Sequence, residues 1–129
     1  MILLDTHVLV WAVLEPARLS RAAAAAIRKA RAEDGLGIAA ITLWELAVLL
    51  ARGRIQSYGT VEASVRLLAE GVSVKPLTLE IASLAAQFPE DYSRDPADRL
   101  IGATARAEGL LLVTRDDKIR RCALLKTLW

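Results

Sequence analysis

Asp95-Pro96-Ala97-Asp98-Arg99-Leu100-Ile101-Gly102-Ala103-Thr104-Ala105, continuing to Gly109-Leu110-Leu111-Leu112-Val113-Thr114-Arg115-Asp116, reads as a helix that delivers the chain directly into a strand. Asp95 is a good N-cap, and Pro96 suits the first helical position because its missing N–H would have no partner there anyway. Gly109 ends the helix, and Leu110–Val113 is short, apolar and strand-like. A helix packed between parallel strands runs antiparallel to them. Its first turn, with Asp98, and the end of the following strand, with Asp116, therefore belong to one edge of a sheet.

Working outward, the N-terminus repeats this logic. Met1-Ile2-Leu3-Leu4 is an apolar run ended by Asp5-Thr6, which places Asp5 just past the carboxyl end of a first strand. Gly35–Ala40 reads as a second buried strand, with Glu45 on the first turn of a helix running from about Ile41 to Ala51. Two acids follow strands and two begin helices, yet all four are expected at the carboxyl edge, where open α/β sheets bind ligands.

The remaining segments fill in the alternation. A helix is expected from Thr6 to Leu14, and another after Ser20 as N-cap, with Leu19 placed to staple against Ala24. A helix over Thr60–Glu70, a strand over Val72–Lys75, and a helix capped by Thr78 and reaching Gln87 follow. Phe88–Arg94 reads as a loop, and Leu124–Trp129 as a terminal edge strand. The expected fold is an α/β/α sandwich with a central, mostly parallel sheet, in one domain over residues 1–129.

Composition limits the function classes. The 129 residues are 54% apolar, enough for a hydrophobic core without disulfides and too apolar for disorder. Charge interrupts every apolar stretch before the roughly 20 residues of a membrane span, so no membrane association is expected. The chain starts on a strand rather than a basic-then-apolar leader, and a cytoplasmic protein is the expectation. A single cysteine, Cys122, suits a reducing compartment, and one cysteine with one histidine makes no zinc site of the usual kind. Net charge is +2. Arg115, Lys118, Arg120 and Arg121 cluster after the last internal strand, where they suit either phosphate contacts or a solvated helix face.

Several carboxylates in one cleft coexist in ionised form only if a cation neutralises them or some protonate. An all-oxygen set favours Mg²⁺ or Mn²⁺, which can lower the pKa of a bound water and stabilise a leaving oxygen in phosphodiester hydrolysis. Each residue also has a structural reading. Thr42-x-x-Glu45 fits a capping box, Asp98 suits a helix dipole, and Asp116 can cap a helix or exchange roles with Asp117. Thr6 and Thr114 are candidate supporting hydroxyls, and His7 is either a substrate contact or an ordinary first-turn residue. Arg99 is read as pairing with a carboxylate or meeting a phosphate. Trp11 and Trp44 are read as core rather than base-stacking residues.

The ordered set Leu3-Leu4-Asp5-Thr6-His7, Thr42-Leu43-Trp44-Glu45-Leu46, Arg94-Asp95-Pro96-Ala97-Asp98-Arg99-Leu100-Ile101-Gly102-Ala103-Thr104-Ala105 and Leu112-Val113-Thr114-Arg115-Asp116 resembles the PIN-domain ribonucleases, and within them the VapC-type toxins of bacterial toxin-antitoxin pairs. The resemblance implies a PIN fold, a Mg²⁺ or Mn²⁺ site, endonucleolytic cleavage of RNA, a cognate antitoxin and a homodimer. It implies Asp5 and Asp98 as principal metal ligands, Glu45 and Asp116 completing the acidic set, and Thr114 in support. Arg99, Arg115 and Lys118 are the candidates for substrate contact. Gly102, where the family often has alanine, is expected to affect packing more than chemistry. The alternatives are a weakly active or inactive PIN-like binding module and a phosphatase of the haloacid-dehalogenase type. The latter needs an aspartate where His7 stands.

Overall fold

Leu3 and Leu4 are both fully buried although successive strand residues point to opposite faces, so the first strand must be covered on both sides. The computed structural model, which describes residues 1–129, shows how. The chain runs β1 (Ile2–Leu4), α1 (Thr6–Leu14), a 3-10 turn (Pro16–Arg18), α2 (Arg21–Ala32), β2 (Leu36–Ala39), α3 (Ala40–Ala51), α4 (Val61–Leu68) and β3 (Val72–Lys75). It continues through α5 (Leu79–Ala86), α6 (Pro96–Glu108), β4 (Leu111–Val113), α7 (Asp117–Arg120) and β5 (Thr127–Leu128).

The strands form one sheet in the order β3-β2-β1-β4-β5, and every neighbouring pair is parallel. From β1 the chain steps outward through β2 to β3, then returns to pair β4 on the other side of β1. That reversal opens a crevice beyond the carboxyl ends of β1 and β4, the position where such sheets take ligands. Leu4 and Val113 join the core layer with Val8, Ile27, Leu46 and Leu50. Leu3 and Leu112 turn to the opposite layer with Ile81, Phe88, Tyr92, Ile101 and Ile119. The sequence-expected sandwich is thus present, and its sheet is parallel throughout.

Most helix starts lie where the sequence puts them. Ser20, Thr60, Thr78 and Asp95 each cap through a side-chain oxygen. The capping box at Thr42 is overturned. β2 passes into α3 with no intervening loop, Ala39 is the N-cap, and Glu45 lies in the second turn rather than the first. Thr42 and Glu45 are therefore free to face α1.

Candidate active site

Asp5 is anchored from both sides of the crevice. Its backbone N–H donates to the Val113 carbonyl at 3.0 Å, extending the β1–β4 ladder by one bond. As N-cap of α1, its Oδ1 accepts from the Thr6 N–H at 2.8 Å, while Oδ2 accepts from the Thr114 hydroxyl at 2.7 Å. The carboxylate residue is only 4% exposed. Both of its oxygens have donors, which is what a buried carboxylate requires.

Thr6 links this aspartate to α3. Its hydroxyl donates to Glu45 Oε1, and it lies 3.0 Å from the Thr42 hydroxyl. A hydroxyl has one hydrogen, so with that hydrogen on Glu45, the Thr42 hydroxyl must donate to Thr6. Burial lifts the Glu45 carboxyl above its ordinary range; the Thr6 hydrogen bond opposes the shift, and the negative charges of Asp5, Asp98 and Asp95 reinforce it.

Asp98 enters from the first turn of α6, with its Oδ2 accepting from the Ser93 hydroxyl at 2.6 Å. Burial raises its carboxyl to about 6. The Ser93 bond works against that shift, and the charges of Asp5, Asp95 and Asp116 add to it. Asp116 caps α7, its Oδ1 accepting from the N–H groups of Lys118 at 2.9 Å and Ile119 at 3.3 Å. Its own N–H donates to the Thr114 hydroxyl at 3.1 Å, so Thr114 joins two acids. Asp117 points outward and pairs with Arg120 at 3.7 Å. Of the two, Asp116 is the one whose charge reaches Asp98.

His7 accepts from the Arg115 N–H through Nε2 at 3.2 Å, and its Nδ1 lies 3.5 Å from Asp5 Oδ2. Burial lowers its pKa below the usual value; Asp5 and Asp116 oppose this, and Arg115 and Arg18 support it. A neutral ring accepting at Nε2 carries its hydrogen on Nδ1, facing Asp5.

Two expectations are corrected here. Arg99 does not reach into the crevice. Its guanidinium donates to the carbonyls of Ser93, Ala85, Phe88 and Pro89 at 2.9–3.4 Å, holding the loop between α5 and α6. In a helix, neighbouring residues point about 100° apart, so adjacency to Asp98 carries Arg99 away from it. Trp44 is 60% exposed rather than core, because α3 buries Thr42, Leu46 and Leu50 and turns Trp44 outward. Ser93, 8% exposed, is a site residue that sequence reasoning missed. It lies in an irregular loop, and no spacing marks it.

The acids share one crevice and feel one another's charge, yet no three acidic or histidine side chains close on a point tightly enough to chelate an ion unaided. That arrangement suits a hard divalent ion that keeps several of its waters and takes one or two carboxylates. The raised Asp98 carboxyl is the electrostatic counterpart: burial and, to a lesser degree, neighbouring acids lift it, and a cation beside it would favour the ionised form.

The sequence pattern of the PIN domain matches residues 2–125. The chain is 44% identical over 119 residues to "Ribonuclease VapC22" of Mycobacterium tuberculosis, covering 92% of this chain and 89% of that protein. Among solved structures, VapBC2 from Rickettsia felis, bound to a DNA fragment from its promoter, superposes with a TM-score of 0.76 at 17% identity, over 99% of this chain and 98% of the other. FitAcB from Neisseria gonorrhoeae gives 0.65 at 26% identity, over 99% and 96%. With the parallel sheet, the acids at its switch point and these similarities together, the chain belongs to the PIN-domain family, in its VapC branch.

Proposed function

We propose that this chain, as one PIN unit over residues 1–129, is an endoribonuclease that uses a divalent metal ion, Mg²⁺ with Mn²⁺ able to substitute, and acts as the toxin of a toxin-antitoxin pair. The observation that carries the reading is the convergence of four acids at the sheet's switch point: Asp5, Glu45 and Asp116 are tied together through Thr6 and Thr114, and the Asp98 carboxyl is raised to about 6 beside them. A structural helix cap gains nothing from that environment. A metal ligand does, because the ion restores the ionised form.

Asp5 and Asp98 would hold the ion, with Asp116 completing the acidic edge. An ion held by these residues would supply Lewis acidity, lowering the pKa of a bound water and neutralising charge on the phosphate. Thr114 keeps Asp5 and Asp116 in one orientation, and Ser93 does the same for Asp98. Glu45 has Oε1 tied to Thr6, leaving Oε2 to take a proton from the attacking water. A carboxyl with a raised pKa is suited to that role.

The substrate reading rests on the VapC relative named as a ribonuclease, and the partner reading on the toxin-antitoxin complexes that share the fold. We extend both to this chain: RNA is the substrate, a cognate antitoxin occludes the site, and the working form is a homodimer in the cytoplasm. No helix is long and apolar enough to cross a membrane.

The test is cleavage of RNA by purified protein with Mg²⁺ or Mn²⁺, its loss in chelator, and inhibition by the product of the adjoining reading frame. Glu45→Gln should fold normally and fail to cleave at limiting Mg²⁺. Activity that persists after rigorous metal removal would refute the mechanism, and full cleavage by Glu45→Gln would return Glu45 to a structural role.

A further inference from the structure

Beside the acids lies a group of side chains that the cleavage chemistry leaves unused. Trp11, on the last turns of α1, is half-buried against the core and carries the Arg18 guanidinium 4.3 Å from its ring centroid. The Arg115 guanidinium stands farther out, 5.8 Å from the same ring. His7 meets the indole edge-on at 4.8 Å, and Trp129 buttresses it at 5.8 Å. An open cavity of about 280 Å³ is lined by His7, Trp11, Arg115 and Asp116. It adjoins the acidic site, because Asp116 belongs to both and His7 faces Asp5 at 3.5 Å.

The cations here differ in what they are free to do. Arg18 is paired with Glu15 at 3.3 Å. Arg115 is exposed and makes no ion pair, while its backbone N–H is fixed by His7. Its base is therefore held and its guanidinium can move. Inserting a flat ring between two stacked planes needs two intervals of about 3.4 Å, the spacing of stacked bases. A guanidinium carbon 5.8 Å from the indole centroid needs to move outward by at least about 1 Å to admit one. Its N–H edge would then still be available to a phosphate oxygen.

We propose that Trp11 and Arg115 form a nucleotide subsite, which takes the RNA nucleotide next to the scissile phosphate with its base between indole and guanidinium and its phosphate on the Arg115 edge. This rests on the reading of the acidic crevice as an RNA-cleaving site. The occupant is a nucleotide of single-stranded RNA, because only an unpaired base presents both faces for stacking. A stacking slot tolerates all bases, so it supplies affinity and register rather than a sequence code.

The test uses Asp98→Asn protein, which should bind without cutting, and two fluorescent 12-nucleotide probes: oligoadenylate, and a ribose-phosphate strand lacking bases. With Trp11 and Arg115 intact, oligoadenylate should bind about tenfold more tightly than the abasic strand. Trp11→Leu should remove that preference. Arg115→Ala should remove it too and lower the salt dependence of binding by about one ion. Arg115→Lys should keep the abasic affinity and lose the preference. Arg115 is exposed and its backbone contact survives truncation, so Arg115→Ala tests the idea even if Trp11→Leu does not fold. Equal binding of the two probes, or a preference untouched by Arg115→Ala, overturns the subsite. Cleavage by the unmutated chain, measured in parallel with Mn²⁺, shows separately whether the nuclease reading stands.

Discussion

The two halves of the crevice hold their aspartates by different means. Asp5 is fixed by the sheet itself: its amide continues the β1–β4 ladder and its oxygens take the Thr6 amide and the Thr114 hydroxyl. Asp98 sits on a helix whose approach depends on an irregular loop, and that loop is held by one arginine on four carbonyls and one serine hydroxyl. Tyr92 adds a bond from its hydroxyl to the Asp98 carbonyl at 2.9 Å. The sheet half rests mostly on backbone, with the Thr114 hydroxyl as its one side-chain donor to Asp5. In the loop half, single side chains decide where a ligand stands.

The largest effects should come from the acids, and should separate the halves by stability rather than activity. Asp5→Asn and Asp98→Asn should each lower RNA cleavage by about 10²–10³-fold. In metal-free protein, Asp98→Asn should raise the melting temperature, since it removes a carboxylate that burial and its neighbours disfavour. Asp5→Asn should lower it, because the Asn amide group cannot accept both the Thr6 N–H and the Thr114 hydroxyl. Calorimetry of both variants in chelator checks this; equal shifts of the same sign would erase the distinction.

Next come the supporting hydroxyls. Thr114→Val and Ser93→Ala should weaken Mn²⁺ binding, measured by titration calorimetry, by about 10–100-fold, as is usual for groups that orient metal ligands. Thr114→Val should also destabilise the fold, since the Asp5 carboxylate it abandons is nearly inaccessible to water. Ser93→Ala should leave stability closer to wild type.

Arg99→Ala should destabilise the protein by about 2 kcal/mol in urea unfolding, since several carbonyls lose a charged donor. Arg99→Lys should recover only part of this because an ammonium lacks the planar fork. A variant of full stability would show that the loop needs no clamp.

A last effect is a pH dependence confined to metal-free protein. Burial raises the Asp98 carboxyl of the folded chain to about 6, against 3.8 for an exposed aspartate. Between those values the folded state holds the extra proton. The Asp98 contribution to stability is therefore full below about 3.8 and is lost as pH rises through about 6. Asp98→Asn should flatten that slope in melting curves between pH 4 and pH 7 run in chelator.

The halves also differ in how far the sequence discloses them. Asp5 after an apolar run and Asp98 three residues past the Asp95 N-cap are marked by local rules that hold in the structure. Glu45 is marked by the start of a helix at the carboxyl edge of β2, which holds with a slip from the first turn to the second; the rival capping box fails because Ala39, not Thr42, is the N-cap where β2 and α3 abut. Ser93 and the Arg99 clamp are invisible to spacing arguments, because both depend on the path of an irregular loop. Trp44 misleads because an apolar run around it looks uniformly buried, while the rotation of α3 that exposes it is set by tertiary packing.

Gly102 gives the loop half an evolutionary coupling. A methyl group there would overlap the Tyr92 hydroxyl and come within 3.2 Å of Phe88 Cζ, and Tyr92 cannot swing aside because it stacks on Phe88 with centroids 4.3 Å apart. Gly102→Ala alone therefore forces this ring pair to shift together, while Tyr92→Phe removes the overlapping atom and leaves contacts of 3.2 Å to both rings. The two positions are coupled: alanine at 102 is easier to place once position 92 has given up the hydroxyl that tethers the Asp98 backbone. The tether on the first turn of α6 and the residue that position 102 can accept are thus tied through one missing methyl group.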